Sequence, residues 1–228
     1  MDSNPTTSRA ALDRDLSSIR DDILRLASLV DQAVDITFRA FRTGDVRLAQ
    51  EAIDGDTQLD NLRNKLEADI TTTLALQQPM AHDLRRLVAD LLIANELERM
   101  GDHAEGTARI VLRALTDLSG IELPVPLASM KERVHEMLRE VMEAYSREDS
   151  EKAKEVARMD DEVDHLYQQL FSLLVSQMGK GELSIERGTY LLWAGHNLER
   201  IGDRVTNICE RIVYARTGAG GKLNIKPD

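Results

Sequence analysis

The sequence predicts an all-α protein, and three observations carry that prediction. Apolar residues such as Ile23, Leu26, Val30 and Val34 recur every three or four positions, which is the period of a helix with one buried face. Aromatic residues make up only 4% of the chain, and no segment alternates polar and apolar residues as a strand does. Helix-breaking residues are few and fall at intervals, so the stretches between them are long enough for helices.

Five breaks divide the chain into six helical segments. They lie at Gly44 and in the ranges 77–79, 120–126, 149–150 and 179–181. The first segment carries the apolar stripe described above, and the fourth repeats it with Met130, Val134, Met137 and Val141. We expect residues 1–17 and 217–228 to be a flexible N-terminus and a flexible tail.

The two halves of the chain repeat each other. Residues 26–60 match residues 130–164 at an offset of 104 positions, which aligns Ala40 with Ala144 and Phe41 with Tyr145. Beyond a short indel the offset becomes 101, and Leu97-Glu98-Arg99-Met100-Gly101-Asp102 matches Leu198-Glu199-Arg200-Ile201-Gly202-Asp203. The sequence therefore predicts a duplicated three-helix unit at 18–117 and 127–216, joined by a linker at 118–126.

Charge and composition exclude several classes of protein. The 228 residues carry a net charge of −11, which argues against nucleic acids and anionic membrane surfaces as partners. No apolar run approaches the roughly 20 residues that cross a bilayer, so we expect no membrane insertion. Cys209 is the one cysteine, and the first residues lack the basic and apolar regions of a signal peptide. We therefore expect a cytoplasmic protein.

Acidic residues recur one helical turn apart in the second and third segments of each half. That spacing places both carboxylates of a pair on one helix face, and one isolated pair is explained better as a solvated surface. Four pairs at matching positions are harder to dismiss, because neighbouring helices would bring four carboxylates to one site in each half. Such clusters suit hard or borderline cations. The pairs are Asp56/Asp60 with Glu98/Asp102, and Asp160/Asp164 with Glu199/Asp203.

Two glycines lie inside the third helix of each half. Gly101 and Gly202 each cost about 1 kcal/mol relative to Ala in a helix interior, so a close helix approach is the expected reason for them. They belong to a seam of small and apolar residues that includes Cys209, which we interpret as a buried small hydrophobe. His196 and Asn207 fall on the Glu199/Asp203 face by helical spacing.

Two motifs identify a family resemblance. The segment from Gln78 to Arg85 (QPMAHDLR) and the two L-E-R-[MI]-G-D motifs closely resemble the PhoU phosphate-signalling proteins, over essentially residues 15–216. The resemblance implies two tandem three-helix bundles related by a pseudo-twofold axis, whose acidic pairs bind metal ions. Iron is favoured, with manganese, magnesium or zinc as alternatives.

Carried over to this chain, the resemblance assigns the same eight residues to two metal sites. Asp56, Asp60, Glu98 and Asp102 would form the first site, and Asp160, Asp164, Glu199 and Asp203 the second. Two positions depart from the family pattern, because Gly106 replaces the more usual Asn and Arg204 replaces a His or an aromatic residue.

The function that the resemblance implies is regulation and not catalysis. The resemblance implies an adaptor that damps phosphate-starvation signalling and phosphate uptake. The expected partners are the sensor histidine kinase of the phosphate two-component system, the ATPase subunit of the phosphate ABC transporter, and a second copy of the chain in a homodimer. The sequence contains no Walker P-loop, no G-x-S-x-G elbow and no dinucleotide fingerprint.

Two alternatives stay open from the residues alone. A ferritin-like di-metal oxidase is suggested by two Glu-x-x-His motifs, Glu132/His135 and Glu162/His165. A helical scaffold without metal would explain the acidic pairs as solvated faces. For Arg99 and Arg200 an intrahelical ion pair is preferred over a role in orienting a metal ligand or in contacting a phosphate. The sequence shows no defined basic pocket for phosphate.

Overall fold

The computed structural model describes residues 5–114 and 122–223. Within these ranges it is all-α, which confirms the predicted fold class. The helices are α1 Pro5–Thr43, α2 Val46–Gln77, α3 His82–Arg113, α4 Val125–Arg147, α5 Ser150–Arg158, α6 Asp160–Gly179 and α7 Ile185–Thr217. None of the described helices is long and apolar enough to cross a membrane.

The chain forms two bundles in tandem. In the first bundle α1, α2 and α3 pack against one another, and in the second α4 packs against α7 and against both α5 and α6. The predicted stripe of α1 is fully buried, with Ile23, Leu26 and Val30 each 0% exposed. Its counterparts Met130 and Val134 on α4 are buried as well, so burial of one apolar face holds each helix in its bundle.

The second bundle differs from the expected three helices in one respect. Its middle helix is divided at Met159 into α5 and α6, whereas the first bundle runs through the equivalent Gly55 without a break. Asp160, the first residue of α6, is buried and lies close against Gly202 of α7. The periodicity of the sequence did not indicate this break.

The turns that begin the second helix of each bundle are built alike. The side chains of Asp45 and Asp149 each accept hydrogen bonds from the backbone N–H groups two and three residues later. Each is preceded by a residue in the left-handed conformation, Gly44 at φ 66° and Glu148 at φ 52°. The repeat found in the sequence therefore extends to the capping of the helices.

The helix α1 extends into the N-terminal segment 1–17 that was expected to be flexible. The helix α1 begins at Pro5, and Leu12 and Leu16 are buried, because the apolar stripe continues toward the N-terminus. At the other end α7 stops at Thr217, and the N–H of Leu223 donates to Glu210. The predicted linker 118–126 lies partly outside the described residues, and α4 begins within it at Val125.

The two bundles meet mainly through α3 and α7, with a smaller contact between α1 and α4. On the α1–α4 side, Asp31 Oδ1 and His135 Nδ1 lie 2.5 Å apart. These two residues occupy equivalent positions of the repeat. A contact between equivalent residues places a pseudo-twofold axis between them.

Candidate metal centres

The first predicted site lies where α2 packs on α3. Gly101 permits the close approach, since a Cβ there would lie 2.6 Å from Leu59 Cδ1 and 3.4 Å from Asp56 Oδ1. This is the close helix contact expected from the sequence. It places the two acidic residues of α2 beside those of α3, so all four predicted carboxylates of this site share one electrostatic environment.

The carboxylates of the first site repel one another. Burial raises the pKa of Asp56, and the charges of Glu105, Asp60, Asp102 and Glu98 add to the effect, so that together they bring it to about 6. Burial and neighbouring carboxylates also raise the pKa of Glu98 and of Asp102. A cation at this place would relieve the repulsion.

Glu105 is a member of this cluster that sequence reasoning missed. It lies three residues after Asp102 on α3, its charge raises the pKa of both Asp56 and Asp102, and its carboxylate pairs with Arg109 at 2.5 Å. The signal was present, because Glu98, Asp102 and Glu105 have the spacing of one helix face. It was not selected because the candidate residues had to recur in both halves, and the equivalent residue of α7 is Thr206.

The second site has the same backbone plan and different neighbours. A Cβ at Gly202 would lie 2.7 Å from Asp160 Oδ1, which repeats the Gly101–Asp56 approach. Asp160 is 1% exposed, whereas Asp56 is half-buried. Asp164 follows one turn later on α6. On α7, Asp203 Oδ2 accepts from Arg200 at 2.8 Å.

Glu199 of the second site has a histidine neighbour. His196 Nδ1 lies 3.5 Å from Glu199 Oε2, which agrees with the face expected for His196. The ring of His196 also lies 6.2 Å from that of Tyr167 on α6. The first site has Asn95 and Arg63 at these two positions, joined by a hydrogen bond of 2.9 Å. The two sites are therefore chemically different.

The chemical type of these side chains suits a metal ion, but the distances between them do not. Carboxylate oxygens that raise one another's pKa suit a hard or borderline cation. Among the described residues, however, no three His, Cys, Asp or Glu side chains lie close enough together to hold a metal ion. Binding would require these side chains to change rotamer and converge.

Asn207 does not join the second acidic site as its helical spacing suggested. Its Nδ2 donates to Glu96 Oε2 of α3 at 3.0 Å, and Arg204 Nη1 lies 3.3 Å from the same oxygen. Both contacts cross from one bundle to the other. Gly106 and Arg204, the two residues that depart from the family pattern, both lie at this interface. Arg204 contacts Glu96, and Gly106 faces Asn197.

The structure also places Cys209, Arg200 and Arg99, for which the sequence predicted individual roles. Cys209 is fully buried, and burial raises the pKa of its thiol, as expected for a small hydrophobe. Arg200 forms the expected intrahelical ion pair with Asp203. Arg99 is exposed on α3, where its charge opposes the rise in the pKa of Glu98 and Asp102.

The two Glu-x-x-His motifs do not come together. His135 lies against Asp31, and the exposed His165 contacts Gln169 on its own helix. Glu162 pairs with Arg133. Glu132 and Glu162 line one surface cavity, but neither histidine lines it, and no three His, Cys, Asp or Glu side chains of the described residues could hold a metal ion, so the structure gives the ferritin-like alternative no support.

Comparison with known proteins finds the same duplication. The family model described as the PhoU domain matches twice, at residues 23–111 and 127–212. The chain is 36% identical over 214 residues to the phosphate-specific transport system accessory protein PhoU homolog of Rhizobium meliloti strain 1021, which covers 92% of this chain and 89% of that protein. The homolog of Zymomonas mobilis is 37% identical over 209 residues, with coverages of 91% and 87%.

Solved structures show the same fold. The phosphate transport system regulatory protein PhoU of Streptococcus pneumoniae superposes with a TM-score of 0.85 at 30% identity, covering 92% of this chain and 99% of that one. PhoU of Pseudomonas aeruginosa gives a TM-score of 0.85 at 29% identity, with coverages of 91% and 99%. The repeated domain, the related sequences and the shared fold show that this chain belongs to the PhoU family.

Proposed function

We propose that this protein is a metal-binding adaptor of phosphate homeostasis. It damps phosphate-starvation signalling and phosphate uptake by contacting the sensor histidine kinase of the phosphate two-component system and the ATPase subunit of the phosphate ABC transporter. It acts as a cytoplasmic homodimer and has a regulatory rather than catalytic role. Membership in the PhoU family supports this proposal, as do the relatives named as accessory proteins of phosphate-specific transport.

The observation that carries the metal-binding part is the mutual repulsion in the first site. Five carboxylates there act on one another, and the pKa of Asp56 reaches about 6. Asp56, Glu98 and Glu105 are half-buried, so water screens their charges less than it screens those of the exposed Asp60 and Asp102. A bound cation turns the repulsion into an attraction that joins α2 to α3.

The residues that would hold the metal are the eight predicted ones. Asp56, Asp60, Glu98 and Asp102 would bind in the first bundle, and Asp160, Asp164, Glu199 and Asp203 in the second. When bound, the ion supplies positive charge to an acidic surface of the adaptor. Iron is the favoured ion, and oxygen donors also accept manganese, magnesium or zinc.

Elemental analysis tests this part of the proposal. Protein purified without a metal-affinity tag is compared with a variant carrying Glu98→Gln, Asp102→Asn, Glu199→Gln and Asp203→Asn. Glu67→Gln with Asp69→Asn is the matched control, because these α2 carboxylates pair with Arg63 and Lys65 and are not among the five carboxylates of the cluster. We expect stoichiometric metal in the wild type and the control, and its loss in the folded site variant.

A metal-free scaffold is the second candidate, since no three described donor side chains converge in this structure. It predicts no metal in any of the three proteins, even after incubation with iron, manganese or zinc. That result would reject the metal sites and leave the acidic faces as surfaces for partner proteins.

The partner contacts are tested by co-purification. The full chain is used to capture the kinase and the transporter ATPase from cells grown at high phosphate, with an unrelated acidic helical protein as control. Capture of either partner supports the adaptor role. Absence of both, from cells in which both are expressed, contradicts it.

A further inference from the structure

An exposed apolar stripe runs along α6 in the second bundle. Tyr167, Phe171 and Val175 follow one another at four-residue intervals, so they share one face of that helix. Phe171 is 51% exposed and Val175 is 45% exposed. Tyr167 lies at the junction with α7, because its ring is 6.2 Å from the ring of His196. The stripe therefore borders α7.

The neighbouring side of α7 continues this apolar surface. Ile185, Leu192 and His196 are separated by seven and four residues, which places all three on one side of the helix. Ile185 is 76% exposed, and Trp193, next to Leu192, is 49% exposed. The stripe and this side of α7 together form one surface, the α6–α7 face. Its exposed apolar members are Phe171, Val175, Ile185 and Trp193.

The helices that form the α6–α7 face carry no charge over a considerable length. Residues 166–179 of α6 and 188–195 of α7 contain no Asp, Glu, Lys or Arg, although 30% of the chain is charged. Isolated exposed apolar residues are normal on a protein surface, whereas contiguous ones mark interaction sites. The α6–α7 face therefore has the character of a surface that another molecule covers.

The repeat shows that helix packing does not require this apolar character. The counterparts of Tyr167 and Phe171 in the first bundle are Arg63 and Glu67. Those two side chains form an ion pair of 2.6 Å on the surface of α2. The same place in the fold is thus a solvated polar surface in one bundle and an apolar surface in the other.

Charge selects the molecule that covers the face. The chain carries a net charge of −11, so two copies repel each other wherever their acidic surfaces approach. At the α6–α7 face two copies can meet without bringing like charges together, and each buries apolar side chains of the other. We propose that the α6–α7 face is the contact between two copies of this chain in a twofold-symmetric dimer.

The acidic residues of the second bundle fix the orientation of the two copies. Asp164 and Glu199 lie at one end of the face, beside Tyr167 and His196. A twofold axis through the middle of the face runs the two α6 helices antiparallel. The acidic ends of the two copies then lie at opposite ends of the contact, so their carboxylates stay apart.

The size of the face predicts the strength of the dimer. Residues 166–179 span about 20 Å of helix, and two helices side by side are about 20 Å wide. The face therefore offers a projected area of about 400 Å² per copy, at the low end for specific interfaces. We expect a reversible dimer with a dissociation constant on the order of 10 µM.

This inference rests on the homodimer of the proposed function and deepens it by naming the contact surface. The contact contains no residue of the first bundle. The helices α1, α2 and α3 of both copies therefore stay available to partner proteins.

Sedimentation velocity and tryptophan fluorescence of the full chain test the contact. We expect the mass to rise from 25.6 kDa to twice that value between about 1 µM and about 200 µM protein. Trp193 is the one tryptophan of the chain, so its emission should move to shorter wavelength over the same range as its ring leaves water. A wild type that stays monomeric, or that dimerises without a change in this emission, overturns the proposal.

Variants identify the surface. Phe171→Glu places like charges at the contact and should weaken the dimer at least about tenfold. Met80→Glu is the matched control, because Met80 is an exposed apolar residue of the first bundle, and it should leave the dissociation constant unchanged. Val175→Glu takes the place of Phe171→Glu if circular dichroism shows that variant to be unfolded. An unchanged dimer in the folded face variant, or a weakened one in Met80→Glu, overturns the proposal.

Partner capture with Phe171→Glu keeps the outcomes separate. A monomeric variant supports the inference whether or not it captures the kinase or the transporter ATPase. A variant that stays dimeric and loses one of these partners assigns the face to that partner and rejects this inference alone. A wild type that dimerises through this face and captures neither partner rejects the adaptor role alone.

Discussion

Equivalent positions of the two bundles carry different polar contacts. In the first bundle Arg63 Nε donates to Asn95 Oδ1 at 2.9 Å, and in the second the rings of Tyr167 and His196 occupy the same positions 6.2 Å apart. The backbone arrangement is nevertheless the same, because each pair joins the middle helix to the third helix of its bundle. The duplication has kept the apolar packing and changed the chemistry at its edge.

The α3–α7 interface shows the same divergence across the pseudo-twofold axis. On one side Glu96 accepts from Asn207 and pairs with Arg204. On the other side Asn197, the counterpart of Glu96, donates to Thr107 at 3.0 Å. One side is therefore charged and the other neutral. Buried apolar residues hold the bundles together, so the polar contacts were free to differ.

The sharpest test of the shared core is a matched truncation. Leu66 and Leu170 are equivalent residues, and both are 0% exposed. We expect Leu66→Ala and Leu170→Ala each to lower the free energy of unfolding by about 2–5 kcal/mol, through lost burial and a cavity. Urea denaturation followed by circular dichroism measures both. Leu76→Ala, at a side chain 74% exposed, is the control and should change it by less than about 0.5 kcal/mol.

A large loss of stability in only one of the two variants would contradict a shared core. It would mean that the second bundle, with its divided middle helix, does not share the energetics of the first.

Asp90 makes the stability of the protein depend on pH, whereas its counterpart in the repeat, Leu191, has no titratable group. Burial raises the pKa of Asp90 from an ordinary 3.8 to about 6, so the folded state binds this proton more tightly than the unfolded state. The resulting stability is present below about pH 4 and is lost as the pH rises to about 6. The loss is about 3 kcal/mol.

Asp90→Asn should remove that part of the pH dependence. Asp56, with a pKa also near 6, contributes with the same sign, so the measured quantity is the difference between wild type and variant in denaturant midpoints from pH 4 to pH 8. Parallel curves for the two proteins would show that Asp90 is not the titrating group.

The two sides of the α3–α7 interface should respond unequally to truncation. Arg204→Ala leaves the carboxylate of Glu96 without its ion pair, at a side-chain exposure of 19%. We expect a loss of about 2–3 kcal/mol, below the cost at a fully buried pair because water still reaches Glu96. Asn197→Ala removes a neutral hydrogen bond and should cost about 1 kcal/mol. Equal losses measured by urea denaturation would contradict the charged-versus-neutral distinction.

The smallest effect concerns the two left-handed turn residues. Gly44→Ala introduces a side chain at φ 66° and should destabilise by about 1 kcal/mol. Glu148→Gly relieves the same conformation at φ 52° and should stabilise by less than about 1 kcal/mol, since the half-buried pair with Arg86 is lost. Thermal unfolding of both variants checks the opposite signs. The same sign in both would show that the turns are not equivalent.

The fold was largely predictable because it follows from local patterns. The period of Ile23, Leu26 and Val30 and the breaks at Gly44 and 179–181 give the helices, and the repeat of the L-E-R-[MI]-G-D motif gives the duplication. The close approach at Gly101 and Gly202 was also predictable, since a helix-interior glycine requires a reason. The periods, breaks and glycines are read along one helix, and the duplication is read by comparing the two halves of the chain.

The break at Met159 and the burial of Asp160 were not predictable in this way. The residues around Met159 have good helix-forming character, so local propensity gives no reason for the break between α5 and α6. The metal sites stay a prediction, since helical spacing says which carboxylates share a face and not whether they converge.

The sequence by itself determined the helices, the duplication and which acidic residues share one helix face, because hydrophobic period, capping and spacing are properties of the chain. Only the tertiary structure decided what meets across the two bundles. Asp90 and Tyr145 are 55 residues apart, and Glu96 lies 111 residues from Asn207. The physical reason is that the sequence gives no distance between residues on different helices until the apolar faces have packed and fixed it.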